Sequence, residues 1–169
     1  MPHLKFILPT APTQPVTMNM GMPMPSWYDI TGLDERSNEN CAGIDKSQNT
    51  VKEILTKEHE SNGLPYNRMV LAGFSQGGAL SLFTGMQLPS AQKLAGVVVM
   101  SGYLPAAAQF QITQGLEETP IMHCHGEADV SATTTGRLDI AMQFVTISSL
   151  MEYIRFVTVL LLFCCCKYI

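Results

Sequence analysis

Charge is scarce in this sequence: Asp, Glu, Lys and Arg make up 14% of 169 residues, against 46% hydrophobic ones. That balance excludes a disordered chain and leaves ample material for the core of one ordinary domain. The formal net charge of -4 offers no basic surplus to a phosphate backbone, so nucleic acid is not an expected partner. Cysteine provides no framework. Of five cysteines, three are consecutive at Cys164 to Cys166, and Cys41 and Cys124 stand far apart. Neither disulfide pairing nor zinc-ligand spacing follows from that arrangement, and a reducing compartment is expected. The opening apolar run, Leu4 to Leu8, is too short and too soon cut by Pro9 to read as a signal peptide. No internal repeat is present.

Short apolar runs mark the strands. Leu4 to Leu8, Met69 to Ala72, Leu94 to Met100 and Ile121 to Cys124 each read as a buried strand. Between them lie helical signals. Ile44, Val51, Ile54 and Leu55 recur at helical spacing before Gly63 and Pro65, and Ala79 to Met86 continues as a helix after a glycine pair. Residues 9 to 29, rich in Pro, Met and Thr, show no period and read as a long ordered loop. Trp27 and Tyr28 in that loop either line a pocket or plug the core. Strands alternating with helices, apolar on both faces, argue for α/β architecture with a mostly parallel sheet. Such sheets carry their functional loops at the carboxyl ends of the strands.

Gly73-Phe74-Ser75-Gln76-Gly77 follows one of those strands and matches the G-x-S-x-G nucleophile elbow. The glycines let strand and helix approach closely, and the turn thrusts the serine hydroxyl outward at a helix N-terminus. There the Gln76 N–H can donate to an oxyanion. The three fixed residues alone occur by chance in about one chain of this length in twenty. The strand before and the helix after the turn add the confirming context. The competing reading is a Gly-rich turn with an incidental serine. A triad acid is expected after a later strand, and Asp129 is the better candidate, with Glu127 as alternate. Taken alone, Asp129 reads rather as a turn-forming or helix-capping residue.

Five stretches carry a family resemblance: Phe6 to Asn19, Met24 to Ile30, Leu71 to Leu82, Lys93 to Val97 and Cys124 to Asp129. Together they resemble the acyl-protein thioesterases, small lysophospholipase-like members of the α/β-hydrolase fold. The resemblance runs from about Leu4 to Val130 and sets the expected division: a partial hydrolase domain over 1–130 and a divergent helical or apolar tail over 131–169. It implies a serine hydrolase acting on S-acylated proteins, lysophospholipids and simple esters, located in the cytoplasm and needing no cofactor or metal. By position, Ser75 is the nucleophile, Asp129 the triad acid and Gln76 an oxyanion N–H donor. The loop over residues 16 to 28 matches the border of the acyl channel, which makes Met20, Met22, Met24 and Trp27 expected substrate contacts. Methionine suits a lipid tail of variable packing.

Two features depart from the family pattern. The histidines are His3, His59, His123 and His125, and none follows Asp129, whereas the family's triad histidine does. His123 or His125 could act only if a rearranged loop brought it within hydrogen-bond reach of Ser75, and His59 is expected to face solvent. An internal strand is also lacking, the one expected between Leu4–Leu8 and Met69–Ala72, together with the second oxyanion donor that follows it. A gap in the sheet, or a new pairing of its neighbours, is therefore expected, with the fold incomplete at both ends and hydrolysis weak or lost. The rival expectation is a catalytically dead variant that binds an acyl chain or a partner. In the tail, Ile140, Phe144, Ile147, Met151 and Ile154 predict an amphipathic helix. The apolar run Phe156 to Cys166 is too short for an ordinary membrane span. With its three cysteines it either touches a membrane weakly or packs loosely, and the second reading is favoured.

Overall fold

The computed structural model describes residues 4–32, 40–124 and 157–162. Strand β1 (Leu4–Ile7) opens the chain and is followed by a hairpin of β2 (Thr13–Val16) and β3 (Met22–Pro25). Helix α1 (Ile44–Asn62) leads through a short turn to β4 (Met69–Phe74), α2 (Gln76–Gly85), β5 (Gly96–Met100) and β6 (Ile121–Cys124). The last strand among the described residues is β7 (Val157–Leu162).

Five strands form one sheet in the order β1-β7-β4-β5-β6, and every pairing in it is parallel. The expected gap between β1 and β4 is therefore closed, and neither strand pairs with the other. Val157 to Leu160 pair with Leu4 to Ile7 on one side, while Thr158 to Leu162 pair with Met69 to Gly73 on the other. The sequence of β7, Val-Thr-Val-Leu-Leu-Leu, suits a strand with neighbours on both sides and cover on both faces. Thr158, Leu160 and Leu162 are buried, and Val159 and Leu161 are half-buried. The tail is thus not a separate unit throughout: part of it lies inside the sheet. The helix expected over Ile140 to Ile154 lies outside the described residues.

Strand β1 departs from the buried strand expected there. It lies at one end of the sheet, and Phe6 and Leu8 are more than half exposed. Residues 13 to 25 also depart from the expected loop. The hairpin register places Pro15 opposite Pro23 and Thr13 opposite Pro25. An antiparallel ladder asks for N–H donors only at alternate pairs. All three prolines fall on one parity, so Gln14–Met24 and Val16–Met22 carry the ladder. Proline therefore hides the period in sequence without breaking the pairing in space.

Helix α1 runs over the range its spacing predicts and ends at Gly63, in the left-handed region at φ 62°. Helix α2 packs on β4 and β5, and α1 packs on α2. Trp27, Tyr28, Leu71, Leu80, Leu88, Leu160 and Leu162 are fully buried in the resulting core.

Candidate active site

The turn from β4 to α2 has the shape its glycines imply. Ser75 sits at φ 51° and ψ -121° as the residue that caps α2. A side chain rarely adopts this conformation, and holding one there costs roughly 1–3 kcal/mol unless the surroundings enforce it. They do so here. The Ser75 N–H donates to Met100 O at 2.8 Å, and Ser75 O accepts from Ala79 N at 3.0 Å. A Cβ on Gly73 would lie 2.2 Å from the backbone carbon of Gly77, and a Cβ on Gly77 would lie 1.8 Å from Leu162 O. Only glycine at both positions lets the first turn of α2 settle onto β4 and β7. That close approach holds the Ser75 side chain half-exposed at the crest.

The carboxyl ends of β4, β5 and β6 form one rim. Phe74, Met100 and Cys124 align across the sheet, and the Ser101 N–H donates to Cys124 O at 2.7 Å. Two inter-strand steps, about 10 Å, separate Cys124 from the strand that bears Ser75. Asp129, its alternate Glu127, and His125 all follow Cys124 in sequence and lie outside the described residues.

The described histidines are turned elsewhere. His123 places Nε2 3.0 Å from Gly102 O. A carbonyl accepts only from a protonated nitrogen, so this nitrogen donates and is not a base toward Ser75. His59 is exposed, as expected. Its Nδ1 donates to Leu64 O at 2.9 Å, and its ring stacks on Tyr66 with centroids 4.6 Å apart.

The expected substrate-contacting residues divide. Met20 is 87% exposed at the hairpin tip and Met22 is 49% exposed, while Met24 packs partly buried against the core. Trp27 is 1% exposed, the placement of a plug. Its indole N–H has no acceptor among the described residues. The hairpin is braced by Asp29, whose carboxylate accepts from Thr17 N at 2.7 Å and Thr17 Oγ1 at 2.6 Å.

Sequence reasoning assigned Gln76 only a backbone role. Its side chain is also buried and fully engaged. Oε1 accepts from Trp27 N at 2.9 Å, and Nε2 donates to Tyr28 O at 2.7 Å and to Ser26 Oγ at 2.9 Å. The single Ser26 hydroxyl hydrogen goes to Tyr28 O at 2.6 Å. On the other side of the segment, Ser47 Oγ of α1 donates to Trp27 O. The only hint in the sequence is a long polar side chain between Ser75 and Gly77, in a turn whose other members are small or apolar.

Among the described residues, no group of three His, Cys, Asp or Glu side chains could hold a metal ion. Comparison with known proteins places this geometry in context. The phospholipase/carboxylesterase family model matches residues 1–144. The chain is similar to acyl-protein thioesterase 1 homolog 1 of Dictyostelium discoideum, with 43% identity over 127 residues, covering 75% of this chain and 56% of that protein. It is also similar to acyl-protein thioesterase 1 of Neurospora crassa, with 46% identity over 136 residues, 75% of this chain and 54% of that protein. The chain thus spans just over half the length of these relatives. Among solved structures, Zea mays acyl-protein thioesterase 2 is similar in fold, with TM-score 0.59 and 24% identity over 92% of this chain and 69% of that chain. Arabidopsis thaliana SOBER1 gives TM-score 0.60 and 22% identity over 95% of this chain and 88% of that chain.

Proposed function

The chain belongs to the phospholipase/carboxylesterase family, and from that premise we propose that it is built as an acyl-protein thioesterase-type serine hydrolase with weak activity. The observation that carries this reading is the backbone of Ser75, held at φ 51° and ψ -121° on a strand-to-helix crest. In the proposed reaction Ser75 Oγ attacks the carbonyl carbon of an acyl thioester or ester. The Gln76 N–H, at the first position of α2 where no intrahelical acceptor exists, donates to the oxyanion. Collapse of the tetrahedral intermediate expels the thiol or alcohol and leaves an acyl-serine, which water then hydrolyses. Asp129 is assigned the role of orienting a histidine that would take the serine proton, a base that neither described histidine, His59 or His123, provides. Proposed substrates are S-acylated proteins and lysophospholipids, with Met20, Met22 and Met24 meeting the acyl chain, in the cytoplasm. No helix among the described residues is long and apolar enough to cross a membrane.

Weak activity is proposed because neither described histidine serves Ser75: His123 donates to Gly102 O and His59 to Leu64 O. The same observation favours a second reading, an acyl-chain-binding or partner-binding protein that keeps the elbow without turnover. A fluorophosphonate probe separates the two. Labelling of the wild type that disappears in Ser75→Ala supports an activated serine. No labelling, together with retained binding of a fatty-acyl ligand, supports the binding protein.

A further inference from the structure

We propose that the Gln76 carboxamide is the positioning group of this site, locking segment 26–28 onto the nucleophile elbow so that the loop and the Gln76 N–H hold one geometry. The inference rests on the hydrolase reading for its consequence at Ser75, but the lock itself is tested separately.

Segment 26–28 runs on past the end of β3, with Ser26 N–H donating to Pro12 O at 3.0 Å, and it is buried: Ser26, Trp27 and Tyr28 are each at most 1% exposed. Buried backbone groups must find partners. Beyond the Ser26 N–H bond to Pro12 O, side chains supply them: Gln76 to Trp27 N, Gln76 and the Ser26 hydroxyl to Tyr28 O, and Ser47 to Trp27 O. The requirement at Gln76 is specific. Trp27 N needs an acceptor, and Tyr28 O, which also accepts the Ser26 hydroxyl hydrogen, faces a second donor one residue on; a single carboxamide presents both. A carboxylate presents two acceptors and would set one of them against Tyr28 O. A protonated carboxylic acid restores the pattern, because its carbonyl oxygen accepts from Trp27 N and its hydroxyl donates to Tyr28 O. Methionine matches the length and offers neither.

This gives a pH signature that packing alone does not produce. Trp27 is the single tryptophan of the chain, so its emission and quenching by acrylamide report the segment directly. Leaving a buried donor or acceptor unpaired shifts a local opening equilibrium by about five- to 150-fold. In Gln76→Glu, Trp27 is expected to be shielded as in wild type at low pH. It should become several-fold more quenchable as the carboxyl ionises, between about 4.3 and about 9. Gln76→Met is expected to be quenchable across the whole range. Other groups near the segment that titrate are the same in all three proteins. Asp29 is bonded to Thr17, Tyr103 to the Tyr28 hydroxyl and His123 to Gly102 O, so wild type measured over the same range is the control.

Fluorophosphonate labelling of Ser75 is expected to follow the same profile, recovering in Gln76→Glu at low pH and staying depressed in Gln76→Met at every pH. A Gln76→Met protein with wild-type quenching, or a Gln76→Glu protein with no pH dependence beyond that of wild type, overturns the proposed lock. If Trp27 follows the expected profile while labelling in the variants stays at the wild-type rate, the lock does not position the elbow, and the proposal is overturned at that point. If wild-type Ser75 never labels, the hydrolase reading fails, and the Trp27 profile still decides the lock.

Discussion

Replacing Leu160 with alanine tests whether the divergent tail holds the sheet together. Leu160 is 1% exposed and stands in register with Ile7 on one side and Leu71 on the other. Its side chain is thus enclosed between the two strands β7 joins and the core beneath them. Removing a buried leucine to alanine costs about 2–5 kcal/mol, because the site cannot collapse fully around the cavity. For a chain of this size each kcal/mol lowers the melting temperature by about 2–4 °C, so the expected loss is about 4–20 °C. The control is Leu8→Ala, at a leucine 61% exposed just beyond β1, where a change of about 0.5 kcal/mol or less is expected. Thermal unfolding followed by circular dichroism measures both. If the two variants melt together, residues 157–162 do not occupy the middle of the sheet, and the account of the fold is wrong.

Gly77→Ala is expected to destabilise more than an ordinary overpacking change of about 1–3 kcal/mol, because its Cβ meets a backbone oxygen, Leu162 O, at 1.8 Å. Denaturant unfolding reads the cost, and fluorophosphonate labelling of Ser75 should fall with it. Tyr103 gives a pH dependence. Burial first, opposed by the hydrogen bond from Tyr28, pushes its hydroxyl up to about 12. The folded protein then keeps a proton that the unfolded chain releases near pH 10. The contribution is therefore present below about pH 10 and is lost as pH rises through about 12. Tyr103→Phe should remove that alkaline slope in a stability-against-pH series and cost about 1 kcal/mol at neutral pH, where Tyr28 loses its acceptor.

Much of this fold is legible in local chemistry. Ile121 to Cys124 appears as the strand its apolar run predicts, and the helix from Ile44 closes at Gly63. The glycines around Ser75 announced the elbow because close approach and a positive φ leave few other residues able to occupy it. What stayed hidden depends on distant partners. A six-residue apolar run such as Val157 to Leu162 has no period of its own to declare it a strand. Its neighbours, β1 and β4, are 89 residues or more away in register. The hairpin was masked because Pro15, Pro23 and Pro25 read as breakers until their shared parity is seen. The Gln76 side chain was masked because its partners, Trp27 N and Tyr28 O, are backbone atoms 49 and 48 residues earlier.

The place of β7 in the sheet also governs how the chain can be made. During synthesis β1 and β4 emerge first, and neither can meet its central neighbour until residues 157–162 have been translated. Contacts spanning this much sequence form slowly, and until they form two strands offer open edges to any passing chain. The nascent chain is therefore most exposed to misassembly before β7 arrives, and chaperone binding in that interval should matter more to its yield than the stability of the sheet once β7 is paired.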